Sequence, residues 1–244
     1  MNSTPYSKLA RIYDKVMSHV DYSMWAIYIN HILAGTGIKI NNLVDLSCGT
    51  GKHLAEMKVK NLKIVGCDNS FPMLKMAQAN LKNRKPLLIN QDARHPAIRE
   101  KSFDAAVMLY DSINYFFSEK EISILFTEIK YLLKDNGIFI FDFITQAGLK
   151  DCYKDYYESD SWDGLAYERH SWFSFADSIQ HNEFIFLYNG KSYREVHKQK
   201  VRSVDEWATL VKKSDMKLIS KFSNFTFQPA SEKSERVHFI CRII

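Results

Sequence analysis

Apolar and polar positions follow two different periods along the chain, and the change of period divides it. From residue 6 to 17, Leu9, Ile12, Tyr13 and Val16 fall at helical spacing, which predicts an amphipathic helix. A second helix follows, with Asp21 as its N-cap, Trp25, Ile29, Ile32 and Leu33 on one face, and Gly35 and Gly37 at its end. Short apolar runs then alternate with helical patterns up to about residue 143. LVDLS (43–47), KIVGCD (63–68), LLINQD (87–92), FDAAVML (103–109) and IFIFDF (138–143) read as strands. Helices are expected over 52–59 and about 71–82, and a third is opened by Ser118 and Glu121 as a capping box. Its face carries Ile122, Leu125, Phe126, Ile129, Leu132 and Leu133. Near-continuous apolar strands alternating with helices predict an α/β fold, a parallel sheet covered on both sides. Ligands of such sheets bind beyond the carboxyl ends of the strands. Asp45, Asp68, Asp92 and Asp111 therefore share one rim.

Beyond residue 150 the period falls to two. Residues 165–175, 178–188 and 191–202 read as antiparallel strands, with Asn189-Gly190 as a type I′ turn between the last two. Ser203 and Glu206 form another capping box, opening a helix with Val204, Trp207, Leu210 and Val211 on its apolar face. Strands over about 217–225 and 236–243 close the chain. The expected organisation is a core of 1–150 and 203–244, with 1–38 as cover helices and 151–202 as an antiparallel β lid.

The most informative stretch is LVDLSCGTGKH, residues 43–53. A strand carrying a carboxylate, Asp45, runs into a loop with Gly49 and Gly51 two apart. Glycines there let a ligand approach the backbone, and a helix start favours negative charge. The order is S-x-G-x-G, not the G-x-G-x-x-G of dinucleotide sites nor the phosphate loop ending in G-K-[ST]. A carboxylate in the strand would repel a pyrophosphate. It suits a ligand holding both a cation and its own carboxylate.

These residues resemble the class I S-adenosylmethionine-dependent methyltransferases. Their first motif, D/E-x-G-x-G-x-G, matches Asp45 to Gly51, with Ser47 in place of the first glycine. DNSFPML resembles the family's D-x-S-x-x-M-L, NQDAR its third strand end, and LYDSINYF its fourth. The resemblance implies a Rossmann-like sheet of seven strands, mostly parallel with the last antiparallel, and an antiparallel insertion after strand 5. It implies S-adenosylmethionine as cofactor, held by Asp45, Ser47, Gly49 and Gly51. Asp68 would take the ribose hydroxyls, Asn69 and Met73 would lie beside the adenine, and Asp92 and Ala93 would meet its polar edge. Tyr110 is a further cofactor candidate, and Tyr13, in the N-terminal cover, is a candidate for the cofactor's carboxylate. The segments YSKLARIYDKVMSHVDYSMWAIYI and YREVHKQKV resemble a subgroup of small-molecule methyltransferases that includes amino-sugar N-methyltransferases.

Methyl transfer needs alignment and water exclusion, and an amine acceptor must also lose a proton. The Asn189-Gly190 turn places Asn182 opposite His197 and gathers Phe184, Phe186, Tyr188, Tyr193, Glu195 and His197 on one face. His197 and Tyr115 are the catalytic candidates. Asp111, Asn114, Tyr6 and Trp172 are the substrate candidates, with Trp162, Phe173 and Phe175 beside Trp172 as walls of an apolar site. Arg194, Lys198, Lys200 and Arg202 form a solvated basic edge on the opposite face.

Composition narrows the classes. The 244 residues suffice for one α/β domain with a lid. No apolar run approaches the ~18 residues of a membrane span, and the start MNSTPYSKLARIYDK has no signal core, so a cytoplasmic protein away from membranes is expected. Cys48, Cys67, Cys152 and Cys241 have no metal-binding spacing, so reduced thiols and no metal are expected. A net charge of +5 tolerates nucleic acid without demanding it. The expected partner is a small-molecule methyl acceptor, for a monomer or homodimer. The alternatives are an RNA methyltransferase and a cofactor-binding protein without methyl transfer.

Overall fold

The computed structural model describes residues 2–152, 155–162 and 164–244. Its strands are β1 (Asn2–Ser3), β2 (Asn42–Asp45), β3 (Lys63–Asp68), β4 (Leu87–Asn90), β5 (Phe103–Met108) and β6 (Leu133–Ile144). They continue as β7 (Asp155–Trp162), β8 (Leu165–Ser174), β9 (Ile179–Tyr188), β10 (Lys191–Lys200), β11 (Met216–Ser223) and β12 (Arg236–Ile243). The helices are α1 (Tyr13–Val16), α2 (Tyr22–Gly35), α3 (Lys52–Glu56), α4 (Phe71–Asn80), α5 (Glu119–Leu132), α6 (Gln146–Cys152) and α7 (Val204–Lys213).

Seven strands form one sheet in the order β11-β12-β6-β5-β2-β3-β4. Only β12 runs antiparallel to its neighbours. The strand order reverses at β2, which pairs in parallel with β3 on one side and β5 on the other. The crevice at its carboxyl end is the place where such sheets bind ligands. β5 is buried at every position, because helices cover both faces. α5 and α7 pack on one face, where Phe126, Phe139, Phe141, Phe143, Phe239 and Trp207 interlock. α2, α3 and α4 pack on the other. Each fully buried side chain of this kind contributes about 1.5–3 kcal/mol.

The predicted caps are present. Asp21 accepts from Met24 N at 2.8 Å, and Ser118–Glu121 and Ser203–Glu206 close as reciprocal capping boxes. The first predicted helix is broken instead. Residues 9–11 form a 3₁₀ turn and only Tyr13–Val16 is α-helical. Leu9, Ile12 and Val16 still bury together, against Phe184 and Phe186 of β9. Tertiary contact with the lid, not helix propensity, sets their spacing.

The insertion is a second sheet, β1-β10-β9-β8-β7. The β9–β10 register is the one the turn dictates, with Lys191 opposite Tyr188 and His197 opposite Asn182. Two strands escape the sequence pattern. β7 is mostly exposed and lacks apolar alternation. β1 is two residues that pair in parallel with Arg194 and Glu195. Arg202 does not join the basic edge. It lies past the end of β10, is 5% exposed, and donates to the carbonyls of Phe116 and Phe117. Cys48, Cys67 and Cys241 are buried and free, and burial pushes the Cys67 thiol up to about 12, so these thiols pack. The Cys152 side chain lies outside the described residues.

Candidate active site

Two cavities open beyond the carboxyl end of the large sheet. The first, about 580 Å³, lies over the β2–α3 loop and the ends of β3 and β4. The second, about 440 Å³, lies between the N-terminal segment, α2 and the inner face of the lid. Tyr6, Tyr13, Tyr110 and Tyr115 line both and form the wall between them.

Asp45, Ser47 and Gly49 line the first cavity. Asp45 is 2% exposed, accepts from Ser47 N at 3.0 Å, and stands 3.9 Å from His53 Nδ1. The Ser47 hydroxyl and both His53 ring nitrogens are buried without partners, and groups left in that state call for a polar ligand or water. Gly49 has φ +54° and nothing within 4 Å of where a Cβ would stand. Gly51 does otherwise. Its φ is +73°, and a Cβ there would stand 2.6 Å from Leu81 Cδ1. It does not line the cavity, and its missing side chain lets α4 and Leu81 pack against the loop. α3 is also only five residues long, so the expected help from a helix start is withdrawn.

Asp68 ends β3. Its Oδ2 accepts from Gly49 N at 2.8 Å and its Oδ1 from Ser70 N at 2.8 Å. Burial pushes its carboxyl up to about 6, against the pull of those two N–H groups. Asn69, Met73 and Ala93 line the same space. Asp92 does too, but Arg94 grips it at 2.6 Å and holds its carboxyl below the usual range, while a second Arg94 nitrogen reaches Glu121.

The wall of tyrosines is held under strain. Tyr6, Tyr110 and Asp111 all have left-handed backbone, with φ of +59°, +60° and +48°, which costs roughly 1–3 kcal/mol per residue and persists where packing enforces it. Trp25 stacks on Tyr110 with ring centroids 4.1 Å apart. Asp14 of α1 accepts from Thr50 and Asn80 and so fastens the N-terminal segment to the glycine loop.

Tyr6 and Tyr115 share a hydrogen bond of 2.8 Å, and the Tyr115 hydroxyl lies 3.0 Å from His197 Nδ1. Burial raises both phenols well above their ordinary values, so both keep their protons. His197 is 2% exposed and its Nε2 stands 3.5 Å from Glu195 Oε2.

Asp111 lines the second cavity as an ion pair. Arg236 bridges it, at 2.8 Å, to the buried Asp142, and Gln199 donates to the same carboxylate. Burial pushes Asp142 up to about 6 despite the Arg236 charge. Neither Arg236 nor Gln199 is marked as a site residue by the motifs of the sequence. Arg236 begins an antiparallel strand far along the chain, with no local signal. Gln199, Gln180 and Asn182 were within reach, since the hairpin register puts them on the His197 face.

Two candidates lie elsewhere. Asn114 is fully buried in the turn after β5 and lines neither cavity. Trp172 stands on the outer face of the lid, stacked between His170 and His181 at 4.6 and 4.7 Å. Strand alternation is the reason: Tyr167, Arg169, Ser171 and Phe173 point inward and their neighbours outward. Trp162, Phe173 and Phe175 line neither cavity either. Phe173 instead packs with Ile144, Leu149 and Val201.

Residues 43–137 match the family described as "Methyltransferase domain". A Bacillus subtilis protein named "Putative methyltransferase YqeM" is 30% identical over 242 residues, covering 96% of this chain and 95% of that one. A crystal structure of an S-adenosylmethionine-dependent methyltransferase from Clostridium acetobutylicum superposes with a TM-score of 0.82 at 24% identity, over 97% of this chain and 98% of that one. CalS10 of Micromonospora echinaspora, an amino pentose methyltransferase with S-adenosylmethionine bound, superposes with a TM-score of 0.74 at 14% identity, over 96% and 97%.

Proposed function

The chain belongs to the S-adenosylmethionine-dependent methyltransferases, and from that premise we propose that it transfers the methyl group to a small-molecule amine bound in the second cavity. The observation that carries this reading is the second cavity itself. At about 440 Å³ it has the size of a small-ligand site. It is walled by Tyr6, Tyr13, Trp25, Tyr110 and Phe184 and floored by polar lid residues. Arg194 and Lys198, which an RNA would need, are exposed and lie off both cavities.

The first cavity suits the cofactor. Asp45 supplies a carboxylate near a cationic centre, Gly49 leaves space at the backbone, and the orphaned Ser47 hydroxyl awaits a polar partner. Asp68 has an acceptor lone pair remaining on each oxygen for the two ribose hydroxyls. Asn69, Met73 and Ala93 frame the space for the adenine. The bound cofactor supplies an activated methyl group.

The chain's own residues do the rest. The four tyrosines exclude water and align the amine. Tyr115 and Tyr6 offer oxygens to the amine's N–H, and His197 Nδ1, 3.0 Å from the Tyr115 hydroxyl, takes the proton. Asp111, neutralised by Arg236, orients the polar part of the acceptor. An amine as nucleophile is also consistent with the amino pentose acted on by CalS10.

The test is transfer of labelled methyl from S-adenosylmethionine to a panel of small amino compounds, with total RNA in parallel. Label in one or more small amines supports the reading. Label in RNA alone overturns it.

A further inference from the structure

Glu195 sits on β10 two residues before His197, and both side chains are buried, at 0% and 2% exposure. One carboxylate oxygen is fully engaged. Oε1 accepts from Lys8 N at 2.7 Å, Leu9 N at 3.1 Å, Ser3 Oγ at 3.0 Å and Ser7 Oγ at 3.2 Å. These four donors all belong to the N-terminal segment that roofs both cavities. The other oxygen, Oε2, has no hydrogen bond and faces His197 Nε2 at 3.5 Å. Burial opposes the Glu195 charge, but the His197 ring, the Lys8 and Leu9 N–H groups and the Ser3 hydroxyl outweigh it and hold the carboxyl below its usual range.

We propose that Glu195 is a positioning residue that fixes His197 as the Nε2–H tautomer, leaving Nδ1 free to accept a proton from Tyr115. This rests on the reading of His197 as the acceptor of the amine proton. A carboxylate can only accept, so the ring nitrogen facing it must carry the hydrogen. Nδ1 is then a bare acceptor, and the Tyr115 hydroxyl donates to it. Tyr6 donates to Tyr115 in turn, which leaves lone pairs of the Tyr6 oxygen for the amine. The proton balance follows one direction. The amine N–H proton passes to Tyr6, the Tyr6 proton to Tyr115, and the Tyr115 proton to His197 Nδ1. The imidazolium so formed stands beside the Glu195 carboxylate, and both tyrosines end neutral. With the opposite tautomer Nδ1 would donate to Tyr115, and the chain would be closed to protons from the cavity. The rings packed around His197 are Tyr6 from the N-terminal segment, Tyr115 from the loop after β5, and Phe184 from β9. Asn182 lies opposite His197 on β9 and accepts from the guanidinium of Arg169, a further charged group lining the same cavity, while Glu195 is the charged group that faces the ring nitrogen.

Four donors on Oε1 also make one substitution unambiguous. In Glu195→Gln the amide oxygen must stay on the Lys8 and Leu9 N–H groups, so the amide NH₂ faces His197 and donates to Nε2. The tautomer then reverses.

The experiment is ¹⁵N–¹H correlation of the histidine rings in wild type and E195Q, both with S-adenosylhomocysteine bound, the His197 signals assigned with H197Q. Wild type is expected to carry its hydrogen on Nε2, and E195Q on Nδ1, with S-adenosylhomocysteine affinity changed less than threefold. A wild-type ring protonated on Nδ1 overturns the proposal, even if E195Q fails to fold. An unchanged tautomer in a folded E195Q overturns it as well. Loss of the N-terminal clasp alone is read in the S3A/S7A double variant, which is expected to keep the wild-type tautomer; reversal there contradicts the role given to the carboxylate. None of these signals depends on finding the acceptor. Failure of the methyl-transfer reading would appear separately, as absent labelling of every amine with the tautomers as proposed.

Discussion

The Tyr115 hydroxyl stands 3.0 Å from His197 Nδ1, although 82 positions separate the two residues in sequence. One comes from the loop that ends a core strand, the other from the lid. Their meeting joins the lid to the core beside the second cavity. Under the proposed function, replacing either is expected to remove a proton-accepting step without touching the first cavity's carboxylates. His197→Ala and Tyr115→Phe are expected to lower turnover by about 10²–10⁴-fold, the usual worth of acid–base assistance. S-Adenosylhomocysteine affinity, measured by calorimetry, should stay within a few-fold. Loss of binding with normal turnover of bound enzyme would move both residues out of this role.

Asp68, in the role proposed for it at the ribose, is expected to make cofactor binding sensitive to pH. Its carboxyl is raised to about 6 by burial, and it must be ionised to accept from two hydroxyls. Affinity for S-adenosylhomocysteine is therefore expected to hold above pH 7 and to weaken as pH falls from about 6 to 5. The sign for the unliganded fold is opposite in sense. A folded value above the unfolded one favours the folded state at low pH, and that advantage fades as pH rises through about 6. Asp68→Ala should cost at least ~1.5 kcal/mol of binding, from the loss of charge-assisted hydrogen bonds, and should abolish the pH dependence. Calorimetric titrations at several pH values check both.

The two loop glycines should fail differently. Gly51→Ala places a Cβ against Leu81 and keeps a left-handed backbone. It is expected to destabilise the fold by about 1–2 kcal/mol, lowering the melting temperature by roughly 2–8 °C. Gly49→Ala carries the same backbone strain, but its Cβ meets only open space at the cavity. It should weaken S-adenosylhomocysteine binding much more than Gly51→Ala does. Melting curves with and without the ligand separate the two.

Arg236→Met should be the most damaging single change in the second cavity. It leaves Asp142, at 0% exposure, and its neighbour Asp111 without their counter-charge. Removing one partner of a buried ion pair costs about 3–5 kcal/mol. Chemical denaturation at pH 7.5 should show a loss of that size, partly recovered at pH 5, where Asp142 can take up a proton.

Much of this architecture is legible in local sequence. Caps at Asp21, Ser118 and Ser203 mark helix starts because the signal is a side chain three residues from the N–H it serves. The Asn189-Gly190 turn fixes ten residue pairs of β9 and β10 through geometry alone. What escapes is set by contacts distant in sequence. The 3₁₀ turn at Leu9–Arg11 forms because Glu195 collects the N–H groups of Lys8 and Leu9. β1 exists only as an edge laid against β10. Trp172 misleads because one residue of strand alternation separates the cavity from the outer face, and composition does not reveal that parity. The packing of Gly51 against Leu81 is not legible either, because a glycine kept open for a helix and one kept open for a ligand look alike in sequence. Arg236 is invisible locally because its partners, Asp111 and Asp142, come from the ends of two other strands.

The most direct test of the two-cavity account is a crystal structure with S-adenosylhomocysteine bound. The account predicts the ligand in the cavity of about 580 Å³, with its ribose hydroxyls on Asp68 and its sulfur facing the tyrosine wall, toward Tyr115. The space beyond that wall should be the cavity of about 440 Å³ that holds His197. A sulfur facing open solvent, or a ligand seated on the His197 side of the wall, would contradict it.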